Sequence, residues 1–245
     1  MEAARIIREA VARVSQLRAA ESFEPSLRSA VLSIKVLQAR RFAATYRDSL
    51  SGGPSAAAAR FFLEELYSDK DYTDRDAQFA RIAGAIERFF PDAVAKTAVG
   101  LAKLHALTEE LDHAMGREWL ALGDKQSEAS RYVAAWRAVD RRAEREAQLR
   151  VVLAIGDDMI RLTRTPGLRT MLRMMRKPAA AAGLASLQRF LECGFDTFAA
   201  MARGNAAQRF LETVRQRESA LIASLFDSDV VACGTDLAAT LGQAP

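Results

Sequence analysis

Cysteine is almost missing from this chain of 245 residues: Cys193 and Cys233 are the only two, and no CxxC pair occurs. Two free thiols in a reducing cytoplasm are the simplest expectation. Histidine is equally scarce, with His105 and His113 alone. Val and Ile together number 21 against 48 Ala, and neither an Asn-Gly nor an Asp-Gly turn is present. With no sustained alternation of period two, a β-fold is excluded. No stretch approaches twenty apolar residues, which argues against a membrane span. The first residues open into an amphipathic pattern with Arg5, Arg8 and Arg13, without the apolar core of a secretion signal. Also missing are G-x-G-x-x-G, G-x-x-x-x-G-K, H-E-x-x-H and G-x-S-x-G, so an ordinary hydrolase or nucleotide-dependent enzyme is not expected.

What remains is alanine-rich helical text. It predicts an all-α fold, a single-domain bundle of eight or nine mostly antiparallel helices over residues 1–226, with 227–245 a weakly ordered tail. Lys plus Arg exceeds Asp plus Glu by four, and Arg outnumbers Lys 29 to 6. These charges are dispersed among acids along the helices, so no nucleic-acid partner is expected. A GC-rich genome supplies arginine and alanine together in any case.

In chain order, a first helix runs from Glu2 to Ala20, and Pro25 starts a second that ends near Leu50 and carries Gln38 and Arg41 on its inner side. Ser51-Gly52-Gly53-Pro54-Ser55 is the clearest break. Pro54 opens a helix to Tyr67, taken as the central element of the fold. Ser68 to Tyr72 is a connector, and Thr73 with Asp76 has the spacing of a capping box for the next helix, which Pro91 ends. One long helix spans Asp92 to Leu122. Its Glu110-Leu111-Asp112-His113 fits the E-x-x-H half-site of di-iron bundles, but Glu110 and His113 fall away from the apolar stripe, so a charged outer face is expected and no metal. Ser127 caps a helix reaching Thr165, with a kink near Gly156 or a change of neighbour and a solvated middle from Arg141 to Arg150. A basic turn with Met171, Met174 and Met175 follows, stopped by Pro178.

The segment Phe61-Phe62-Leu63-Glu64-Glu65-Leu66-Tyr67 resembles the motif that names a bacterial family, the FFLEELY motif proteins. Gly183 to Glu192, with Phe195, Phe198, Met201 and Phe210 to Glu218, is similar to a pattern in that family's C-terminal half. The resemblance spans about 38–226 and implies a bacterial, all-helical protein. It brings no activity with it.

Six polar residues from five helices fall on or beside the apolar arcs of their own helices: Arg41, Glu65, Arg75, His105, Asp112 and Glu218. Isolated buried charges are costly, so several of them should meet, with carboxylates paired to arginines and Glu65 with Arg75 in one network. Glu64 should face water. A dry network that fixes helix register is preferred over a pocket lining. The function expected is binding or scaffolding for a protein partner or a small ligand, with no cofactor. The alternative is an enzyme or cofactor binder that uses the inward cluster.

Overall fold

A computed structural model describes residues 2–53, 55–65, 72–201 and 205–244. No described residue is in a strand. The helices are α1 (Glu2–Phe23), α2 (Pro25–Thr45), α3 (Arg47–Leu50), α4 (Ala56–Glu65), α5 (Thr73–Phe89), α6 (Asp92–Leu122), α7 (Glu128–Val139), α8 (Arg142–Thr163), α9 (Leu168–Met174), α10 (Arg176–Ala181), α11 (Ala185–Ala200), α12 (Ala206–Asp227) and α13 (Val230–Leu241). The all-α class holds, and eight or nine helices is too few.

Local chemistry accounts for the extra ones. Asp140 takes a left-handed conformation with φ 48° and splits the expected long helix into α7 and α8, while α8 passes through Gly156 unbroken. Pro178 does not stop a helix. It lies in the first turn of α10, where a missing N–H costs no intrahelical bond. Residues beyond 227 are not a loose tail: the Asp229 carboxylate caps α13 by accepting from the Val231 and Ala232 amides, both at 3.0 Å. Cys233, Leu237 and Leu241 of α13 are buried with Tyr132, Val133 and Trp136. Pro25 sits at the start of α2 and Ser127 accepts from the Ser130 amide at the start of α7, as expected. Thr73 and Asp76 form no capping box, because α5 begins at Thr73 itself with Tyr72 before it. Pro54, Leu66, Tyr67 and the connector residues 68–71 lie outside the described residues.

The hub is α6 rather than the motif helix. It packs on α1, α2, α5, α7 and α8, whereas α4 packs on α2, α3 and α11. Two glycines permit close approach. A Cβ at Gly116 of α6 would stand 2.6 Å from Val31 Cγ2, and one at Gly156 would stand 2.4 Å from Leu211 Cδ2. Helices α6 and α8 run antiparallel: Thr97 meets Asp158, Gly100 faces Ile155, and Thr108 meets Gln148. Three apolar clusters surround this pair. One joins α2, α6, α7, α12 and α13, one joins α2, α4, α8, α11 and α12, and one joins α1, α5 and α6.

Candidate functional site

The three clusters do not close completely on one another. A cavity of about 260 Å³ lies among α2, α5, α6, α8, α11 and α12. Helical spacing aims two polar rows at it. On α2 the steps of three place Lys35, Gln38 and Arg41 on its wall, and on α6 the steps of four and three place His105, Glu109 and Asp112 there. All six inward residues read from the sequence line this cavity. The network therefore lines a pocket, where the sequence favours a closed one.

These polar groups meet in three sets, the largest joining His105, Asp76, Arg18, Glu109 and Lys35. Arg41 donates to Glu218 at 2.6 Å, and the Tyr46 hydroxyl donates to the same oxygen at 3.0 Å. Arg75 donates to Glu65 at 3.3 Å, and its guanidinium lies between the rings of Tyr72, at 3.7 Å, and Phe190, at 4.6 Å. His105 Nε2 is 2.8 Å from Asp76, which also pairs with Arg18 at 3.0 Å. Lys35 donates to both oxygens of Glu109, at 2.9 and 2.8 Å. Asp112 joins none of these pairs. It is 2 % exposed, and its hydrogen bond comes from the Gln38 side-chain amide at 3.0 Å.

Burial and charge then divide the carboxylates. Burial alone would raise Glu109, but Lys35, His105 and Arg18 outweigh it and hold its pKa below the ordinary value. Asp76 behaves likewise, its burial overcome by His105, Arg18 and Arg75. At Asp112 burial wins over Lys35 and Arg145, and its pKa is raised. Burial pulls the Lys35 ammonium down, yet Glu109 and Asp112 leave it raised overall. At Arg75 burial prevails over Asp76, Tyr72 and Glu65, and its pKa is lowered. The site thus keeps charged pairs at its edges and one carboxyl inclined to hold its proton.

Several wall residues escaped the sequence reading. Arg145, assigned to a solvated run, is 5 % exposed and stacks 4.0 Å over the Trp136 ring. Its spacing to Leu149 and Val152, which also line the cavity, was the signal. Glu109 carried the same kind of signal, one turn from both His105 and Asp112. Trp136 reads as plain core, yet its Nε1 is buried with no hydrogen-bond partner among the described residues. Glu110 keeps about a quarter of its side chain exposed (26 %), as an outer face requires, while His113 is more covered than expected (12 %). Helix α1 packs beside them, so Glu110 accepts from Arg13 at 2.5 Å while His113 Nδ1 sits 2.9 Å from Glu21. Those separate partners leave the pair turned to different tasks, and no group of three or more His, Cys, Asp or Glu among the described residues is placed to hold a metal.

Every described residue on the cavity wall falls between Lys35 and Ile222. No curated protein and no solved structure matches the chain. Residues 17–231, a span that contains all of those wall residues, match the family described as the domain of unknown function DUF8198, and the chain belongs to that family.

Proposed function

We propose that this protein binds a small amphipathic molecule inside its helical bundle. The observation that carries the reading is the make-up of the cavity wall: charged and polar groups, Lys35, Gln38, Arg41, Asp112 and Glu218 among them, stand in a concavity whose exposed surface is mainly apolar, with Phe79, Ile86, Leu101, Val152 and Phe190. A few placed polar groups in a mainly apolar concavity is the general form of a small-molecule site. At about 260 Å³ the space exceeds the ~150 Å³ of an apolar cavity that holds a benzene-sized guest. Stability alone gives no reason for such a design, since voids cost free energy and buried charges cost more.

Membership of the FFLEELY motif group is part of the same proposal, supported by Phe61 and Phe62 packing in the core of α4 while Glu65 reaches the cavity. So is a cytoplasmic location, supported by the unpaired thiols Cys193 and Cys233. No helix among the described residues is long and apolar enough to cross a membrane. The test is native mass spectrometry of the purified protein beside a Leu101→Trp variant, whose indole would occupy the apolar part of the cavity.

A further inference from the structure

The geometry points to an unbranched alkyl chain ending in a carboxylate as the ligand, with its head on Trp136 Nε1 and Arg145 and its chain lying along α6. This rests on the cavity being a ligand site. Three observations lead to it. The first is Trp136, which lines the cavity and whose Nε1 hydrogen is buried with no acceptor among the described residues. Buried indole N–H groups ordinarily find an acceptor, so this one indicates where a ligand oxygen sits. The second is the charge beside it. The Arg145 guanidinium, 4.0 Å over the same ring, makes that oxygen's place favourable to an anion. The raised Asp112 carboxyl, facing Lys35 and Gln38 of α2, Tyr132 of α7, Arg145 of α8 and Glu109 of its own helix, is biased toward its uncharged form, which reduces its repulsion of a second carboxylate.

The third observation is the order of the wall. Along α6 the cavity residues before His105 are apolar except Thr97, whose hydroxyl bonds to the Ala93 carbonyl and to Asp158, and His105, Thr108, Glu109 and Asp112 are polar. The antiparallel α8 repeats that order in reverse: Arg145 and Gln148 lie at the polar end, and Val152 to Leu162 at the apolar end. At 1.5 Å per residue, Val94 to Asp112 extends about 27 Å. With its polar and apolar residues toward opposite ends of that length, the wall suits a linear chain that carries one polar head.

The experiment is calorimetric titration of the full chain with dodecanoate, dodecan-1-ol and dodecylamine, which share one tail and differ in the head. The structure predicts one dodecanoate per chain, bound at least tenfold more tightly than the alcohol or the amine. Trp136→Phe keeps an aromatic ring and removes the donor, and it should weaken dodecanoate about tenfold, the alcohol by less, and leave the amine, whose ammonium offers no acceptor, unchanged. Because the comparison of heads is made on the unaltered protein, it stands even if that variant folds poorly. Alcohol or amine binding as tightly as the acid overturns the head-group assignment and leaves the cavity reading intact. If none of the three binds, the alkyl-chain assignment is overturned. Ligand uptake in the native mass experiment then decides separately whether the cavity reading falls with it.

Discussion

Glu109 and Asp112 stand one turn apart on α6 and both are buried, yet their neighbours make them opposites. Glu109 faces Lys35 and Arg18, so its ionised form is the stable one; Asp112 faces an amide and is raised by burial. Glu109→Gln should destabilise the protein by about 2 kcal/mol, because it removes the carboxylate that holds the largely covered Lys35 ammonium. Asp112→Asn keeps an acceptor for Gln38 and removes an ionisable group whose charge is disfavoured, so it should be neutral or stabilising at pH 7. The pH dependence follows from the signs. A raised folded-state pKa means the fold holds the Asp112 proton longer than the unfolded chain does. The stability from that proton is full below the unfolded value and is lost as pH rises through the folded one. The advantage of Asp112→Asn should therefore grow with pH in urea melts taken between pH 4 and 8. Glu109, lowered in the fold, contributes stability that is lost as pH falls. A parallel contrast applies in the motif. Glu64 is exposed, and Glu64→Ala should be silent. Glu65→Ala should cost about 1–2 kcal/mol, less than a fully buried pair, since Arg75 keeps its stack between Tyr72 and Phe190.

At the scale of elements, α6 decides the arrangement through the small residues on its surface. Gly116→Ala would push a methyl within 2.6 Å of the stiff Val31 side chain and 3.3 Å of its backbone nitrogen, and should cost about 1–3 kcal/mol in chemical melts. Gly100→Ala on the same helix meets Ile155 at an ordinary 3.5 Å, and should gain up to about 1 kcal/mol from helix propensity. Equal effects at the two positions would contradict the packing described. Periodicity revealed the inner faces of α2, α5 and α6, because Val, Ile, Leu and Phe recur there at helical spacing. It could not reveal the end of α7, where an aspartate in a left-handed conformation does what a glycine normally does. Nor could it reveal α13, whose buried positions include Cys233 and Gly234 and so add little to an apolar stripe.

For the whole molecule, the sequence identified six of the polar side chains that turn inward and, for Glu65 and Arg75, what they meet, but not the other partners. Arg41, Glu65, Arg75, His105, Asp112 and Glu218 each declare themselves on their own helix. The pairing of Arg41 with Glu218 across 177 positions depends on how α2 and α12 cross, which no local pattern encodes. The cavity was illegible for the same reason, since a void belongs to the space between helices rather than to any one of them. Its occupancy is the central claim, and native mass spectrometry measures it directly. The account predicts that the wild-type protein retains or takes up one small amphipathic molecule per chain, and that Leu101→Trp, folded and of equal helicity, does not. A wild-type protein that stays at the bare mass of its chain in the presence of such compounds, or a Leu101→Trp variant that takes them up equally well, would contradict it.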